Sequence, residues 1–223
     1  MPPCQGTPNP TVVNRPLVIG HRGFPARFPD NSLEGVRAAI NAGADGVEVD
    51  VRPSAEGVWV CHHDRTHAGR KVSSLSLAEL RAAGVPSLAA VVDALPASAT
   101  LFVEVKPLAR EVSHNTVDTL LRLLEPRLER TMILSSSLSV LATVGALLPP
   151  LARSWVVNRL PAAVPPGLYL SPHHRLVEQL LPTGLALHPW TVNAAARIAQ
   201  LAALGVASIT TNRPDRAVEV LGG

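Results

Sequence analysis

An α/β chain folded as a slightly irregular (β/α)8 barrel is the architecture that three observations predict. Short apolar strand-like runs alternate with helix-like stretches from residue 17 onward, as parallel strands with crossover helices require. Charged residues gather late in successive strand-like runs, where a barrel keeps its functional groups. No Gly-rich phosphate loop follows the first strand, which counts against a doubly wound open sheet.

The strand-like runs are, in order, 17–20 (LVIG), 46–51 (GVEVDV), 58–62 (VWVCH), 101–106 (LFVEVK), 132–136 (MILSS), 153–157 (RSWVV), 167–171 (GLYLS), 185–190 (LALHPW) and 207–211 (ASITT). That is one more than a barrel needs, so one run is accessory, with 167–171 as a candidate and the choice among the nine left open. Helix-like stretches separate most of them: SLEGVRAAINAG, SLAELRAAG, PSLAAVVDALP, VSHNTVDTLLRLLEP, LSVLATVGALL, RLVEQLL and AAARIAQLAALG. Between Asp50 and Val58 the link is too short for a helix, so an extended return makes the barrel irregular there. The segment after His63 leaves no room for a large insertion domain. Residues 1–16, Pro-rich and polar, read as a loose N-terminal arm, and 17–223 as a single barrel domain.

Composition narrows the function. The formal charge of +3 comes from dispersed arginines and aromatics make up only 3%, so no nucleic-acid surface is visible. The longest helix-like apolar run, LSVLATVGALL, is too short to span a bilayer and stops at Pro149 and Pro150. The arm lacks the apolar core of a signal peptide, and Cys4 and Cys61 suggest neither a disulfide framework nor a zinc site. A soluble protein of a reducing cytoplasm is expected.

The chemistry lies in pairs spaced two apart. Side chains alternate along a strand, so Glu48 and Asp50 share one face while Val47, Val49 and Val51 share the other. Buried and unpaired, each carboxylate would cost several kcal/mol, so a metal ion, an Arg or Lys, or water must stand beside them. Glu104 and Lys106 repeat the spacing, His21 and Arg22 end the first run, and His63 and Asp64 follow the third. The chain holds 18 arginines and two lysines, Lys71 and Lys106, so a lysine at 106 points to a need for a compact charge. His62 and His67 are read as surface or loop residues and Cys61 as a packing residue.

GHRG, PDNSLEG, GADGVEVDVRPSAEGVWVCHHDRT, VEVKP, and WTVN followed by GVASITTNRP resemble, in order and spacing, the glycerophosphodiester phosphodiesterase family. The resemblance implies a TIM barrel, one divalent cation, and hydrolysis of glycerophosphodiesters to glycerol 3-phosphate and an alcohol. It places the metal carboxylates on Glu48, Asp50 and Glu104, the acid/base histidines on His21 and His63, and the phosphate-binding cations on Arg22 and Lys106. Trp190 is expected at the substrate rim. Three hard oxygen ligands without a thiolate suit Mg2+ or Ca2+. The expected partner is a small-molecule phosphodiester, without nucleic acid or stable membrane insertion.

Two positions depart from the family pattern. Asp30-Asn31-Ser32 stands where Glu-Asn-Thr is usual, and Thr211-Asn212-Arg213-Pro214 replaces Thr-Asp-x-Pro with the loss of a negative charge. Both are expected to tune activity. Asn31 and Ser32 also make a favourable helix start. Two other functions fit a barrel of this kind: a lysophospholipase D or sphingomyelinase D-like enzyme, for which no exposed apolar segment speaks, and a non-catalytic scaffold, which the presence of both histidines and all three carboxylates disfavours.

Overall fold

The computed structural model describes residues 15–107 and 114–222. The expected arm falls outside the described residues except for Arg15 and Pro16. Ten strands appear in chain order: β1 (Leu17–His21), β2 (Gly46–Pro53), β3 (Trp59–Cys61), β4 (Thr66–His67), β5 (Arg70–Lys71), β6 (Thr100–Val105), β7 (Thr131–Ser135), β8 (Ala152–Val157), β9 (Tyr169–Pro172) and β10 (Ser208–Thr211). The α-helices are α1 (Leu33–Asn41), α2 (Leu77–Ala82), α3 (Leu88–Ala94), α4 (His114–Leu124), α5 (Leu138–Leu147), α6 (Val177–Leu180), α7 (Ala195–Ala203) and α8 (Pro214–Leu221).

The main sheet runs β10-β1-β2-β6-β7-β8-β9, every neighbouring pair parallel. One stave remains to close it, and residues 186–190 supply it. Leu170 N–H donates to the Ala186 carbonyl and His188 N–H to that of Leu170, while on the other side Ala207 N–H donates to Leu187 and Thr210 N–H to Pro189. The stave's isolated bridges, Leu170–Leu187 and His173–Trp190, lie on the β9 side, and Pro189 offers no N–H toward β10. Eight staves result: β1, β2, β6, β7, β8, β9, 186–190 and β10.

This settles which strand is accessory, and it is not the candidate 167–171. Residues 167–171 contribute to β9, a stave of the barrel, and the extra strand is β3, which pairs antiparallel with β2 through Val51–Cys61 and Pro53–Trp59. A parallel neighbour would need a crossover of a dozen or more residues, and five residues link the two strands, so the chain folds straight back. His63 therefore comes after a returning strand instead of at the end of a stave.

Packing follows the alternation. Val47, Val49, Val51, Leu101, Val103 and Val105 face the surrounding helices in the main core. Ile19, Phe102, Met132 and Leu134 form a separate cluster, the apolar filling inside the staves. A third, small cluster of Val60, Val72, Leu75, Leu80 and Val85 holds β3, the turn after β5 and α2 together as a modest cap beside β2. Ser32 caps α1 by accepting from Gly35 N–H at 3.1 Å, Ser76 and Glu79 form a reciprocal capping box on α2, and Ser87 caps α3. The helix pattern missed α8, whose markers are Pro214 at its first position and Gly222 just after its end. No helix among the described residues is long and apolar enough to cross a membrane.

Candidate active site

Parallel register assembles the site. Glu48 pairs with His21 across β1 and β2, and Asp50 pairs with Glu104 across β2 and β6. Because period-two alternation sends Glu48, Asp50 and Glu104 inward, one oxygen from each lies within 4.8 Å of the others. Three staves thus converge on one end of the barrel, the carboxyl end.

The GHRG turn explains how His21 and Arg22 reach it. Gly23 N–H donates to the Gly20 carbonyl at 3.2 Å, and a Cβ on Gly20 would stand 2.3 Å from the Gly23 oxygen. Only glycine fits so tight a reversal. Within it Arg22 adopts φ 51°, a left-handed conformation that costs a non-glycine residue about 1 kcal/mol. The turn aims the Arg22 N–H at Glu48 Oε2 (3.0 Å) and its Nη1 at Asp30 Oδ2 (2.6 Å), and brings its Nε within 2.9 Å of Asp50 Oδ2 as an ion pair without hydrogen-bond alignment. Asp30, the shortened acid, thus fixes the guanidinium from outside.

Lys106 bridges from the other side, with Nζ 2.7 Å from Asp50 Oδ1 and 2.6 Å from Glu104 Oε1. Burial opposes the charge on Asp50, but Lys106 and Arg22 outweigh it and hold the carboxyl below its ordinary value. Burial also opposes the Lys106 ammonium, and Glu104 and Asp50 reverse the sign, raising it above the usual lysine range. Glu48 differs. Burial, then the charges of Asp50 and Glu104, push it well above the usual carboxylate range, and its Oε1 is buried with no hydrogen-bond partner. An orphaned carboxylate oxygen in a cluster of three is a fitting place for a hard cation.

His21 Nδ1 lies 2.7 Å from Asn212 Oδ1 and its Nε2 lies 4.0 Å from Glu48 Oε2. Burial, then the Arg22 charge, lower its proton affinity below that of an ordinary histidine. His63 is more exposed, its Nδ1 2.8 Å from Asp64 Oδ1 and its carbonyl held by Arg52 Nε at 3.0 Å. His62, as expected for a surface residue, reaches only the Thr66 carbonyl and packs on His67. Cys61 is buried and unpaired. Trp190 stands at the carboxyl end of the 186–190 stave, with its indole N–H on the Ser171 carbonyl at 2.8 Å and its ring edge-on to His173.

Asn31 is the residue whose role the sequence left undecided. Ser32 makes the helix cap, while the buried Asn31 side chain binds Asp50, donating from Nδ2 to Oδ2 at 3.1 Å and accepting the Asp50 N–H at 3.0 Å. The signal in the sequence was an amide two positions before a helix start; the structure adds that it stands at φ 59°. A cavity of about 730 Å³, lined by residues that include Leu17, Thr100, Phe102, Tyr169 and His188, opens at the opposite end and shares no residue with this cluster.

Fold and site together define the class: a (β/α)8 barrel with a carboxylate, cation and histidine centre at its carboxyl end. The model of the glycerophosphoryl diester phosphodiesterase family matches residues 21–135 and 114–216. The chain belongs to that family. A Mycobacterium tuberculosis protein named "Probable glycerophosphodiester phosphodiesterase 1" is 43% identical over 76 residues, and the match covers 31% of this chain and 27% of that protein. A Bacillus altitudinis glycerophosphodiester phosphodiesterase is 22% identical over 91% of this chain and 97% of its own. An Oleispira antarctica phosphodiesterase, solved in complex with the product sn-glycerol-3-phosphate, superposes with a TM-score of 0.81 at 21% identity, covering 94% of this chain and 98% of that one.

Proposed function

We propose that this protein hydrolyses glycerophosphodiesters to glycerol 3-phosphate and an alcohol, with Glu48, Asp50 and Glu104 holding one divalent cation, Mg2+ or Ca2+. The observation that carries the reading is the inward convergence of these carboxylates within 4.8 Å, with Glu48 Oε1 left unpartnered, in a chain of this family. When bound, the cation would supply Lewis-acid polarisation of a phosphoryl oxygen and offset the carboxylate charge.

The chain's own groups do the rest. Arg22 and Lys106 flank the cluster and place two fixed positive charges where a phosphate would gain charge. The Asn212 oxygen can only accept, so His21 carries its proton on Nδ1 and turns an Nε2 lone pair toward the centre, the arrangement of a proton acceptor. His63 donates its Nδ1–H to the Asp64 carboxylate and is assigned the second proton transfer, to the leaving alcohol. Trp190 stands at the rim for the substrate's organic part.

The test is release of glycerol 3-phosphate from a panel of choline, ethanolamine and glycerol diesters, with Mg2+ or Ca2+ against EDTA. His21→Ala and His63→Ala should each lose about 10²-fold or more in kcat, and His62→Ala little. No release with either metal from any of these diesters would overturn the proposal.

A further inference from the structure

The WTVN and TTNRP motifs lie on the last two staves, away from the carboxylates, yet both lead back to His21. Asn193, just past the 186–190 stave, accepts at Oδ1 from the Thr211 hydroxyl at 3.2 Å and from the Asn212 N–H at 2.9 Å. Thr211 Oγ1 in turn accepts the Arg213 N–H at 3.0 Å, so the backbone on both sides of Asn212 is tied down. Ala26 N–H donates to the Asn212 carbonyl at 3.4 Å, joining the same turn to the loop after β1. From this fixed backbone the Asn212 side chain meets His21 Nδ1 at 2.7 Å, across the seam where β10 pairs with β1.

We propose that Asn212, itself fixed by Asn193, is a positioning residue that locks His21 in its Nδ1–H tautomer and aims Nε2 at the carboxylate centre. A neutral imidazole carries one proton, and the nitrogen facing an amide oxygen must be the one that bears it. The other nitrogen then presents its lone pair 4.0 Å from Glu48 Oε2. Free imidazole side chains exchange the proton between the two nitrogens, so without a partner on Nδ1 part of the population would point a donor where an acceptor is needed. A carboxylate at 212 could hold the same tautomer, but it would add a further negative charge beside Glu48, Asp50 and Glu104. An amide selects the tautomer without that charge, which gives the departure at 212 a physical purpose.

The catalytic consequence rests on the acid/base role proposed for His21, whereas the tautomer does not. The experiment reads both on the full chain. Histidine-15N-labelled protein is examined by long-range 1H–15N correlation at a pH where the ring is neutral, with His21 assigned by its disappearance in His21→Gln. Wild type should show the Nδ1–H pattern, and Asn212→Asp should retain it. Asn212→Leu should shift His21 toward Nε2–H and lower kcat by about tenfold or more with KM within about twofold, since a misplaced tautomer costs proton transfer and not binding. Asn193→Ala should move both readings in the same direction by less. If Asn212→Leu does not fold, Asn212→Ala is read in the same way. An unchanged tautomer in folded Asn212→Leu or Asn212→Ala overturns the proposal, as does a changed tautomer with unchanged kcat. If wild type hydrolyses no glycerophosphodiester, the functional reading fails, and the nitrogen spectra still decide what Asn212 does to the ring.

Discussion

Asn31 grips Asp50 at two points: its Nδ2 donates to Asp50 Oδ2 at 3.1 Å, and its Oδ1 accepts the Asp50 N–H at 3.0 Å. The clamp fixes both the rotamer and the backbone of the central carboxylate, the one that Arg22 and Lys106 also address. Asn31 does this from a left-handed φ of 59°, in the turn just before α1.

That geometry separates two effects by mutation. Asn31→Gly keeps the backbone conformation at no steric cost but removes the clamp, leaving the Asp50 N–H without its acceptor at an expected cost of about 1–3 kcal/mol. Asn31→Ala should lose about 1 kcal/mol more, because alanine resists φ 59°. Urea denaturation of the two variants measures the difference. Equal stabilities would show that the backbone relaxes and that no strain is held there.

Cation binding should be visible without any turnover. A divalent ion that binds the folded chain alone adds RT ln(1 + [L]/Kd), about 2.7 kcal/mol at a hundredfold excess over Kd. Mg2+ or Ca2+ should therefore raise Tm by several degrees in wild type, EDTA should reverse the rise, and Glu48→Gln should abolish most of it. The Glu48→Gln chain without metal should be at least as stable as wild type, since it relieves a buried carboxylate pressed by Asp50 and Glu104. A metal-induced rise of the same size in Glu48→Gln would remove Glu48 from the ligand set.

A buried histidine in the barrel interior sets a pH limit on stability. His188 is 7% exposed, donates to or accepts from Ser208 Oγ at 2.8 Å, and lies edge-on to Phe102 and Tyr169. Burial pushes it down to about 4. A base whose folded value is depressed takes up its proton first in the unfolded chain, so its contribution is full above about 6.5 and is lost as pH falls toward 4. Over that window the loss is roughly 3 kcal/mol at about 1.4 kcal/mol per unit. Urea melts at pH 7 and 4.5 should show wild type losing more stability than His188→Gln by about that amount. Parallel losses in the two proteins would contradict it.

Most of the candidate centre was legible because β-strand alternation is a local rule. Glu48 with Asp50, and Glu104 with Lys106, share a face whatever their strands pair with. Strand-end placement likewise marked His21 and Arg22. Strand count was readable but strand identity was not: β3 has the same apolar composition as a stave, and only the brevity of the link from Pro53 to Trp59 betrays its antiparallel return. The 186–190 stave was legible as a strand despite Pro189, because its apolar residues outweigh one missing donor.

By itself, then, the sequence determined which side chains would share a face and which would sit at a strand end, since both depend on neighbours within a few residues. Tertiary structure alone decided what those side chains meet. The register that sets Asp50 beside Glu104 and His21 beside Glu48 is a choice among parallel pairings, governed by how all the staves close into one barrel. The same closure brings Asn31 to Asp50 and Asn212 to His21, partners separated by 19 and 191 residues. An amide side chain reads locally as a turn or a cap, and its partner is set by which loops the closed barrel gathers at its carboxyl end.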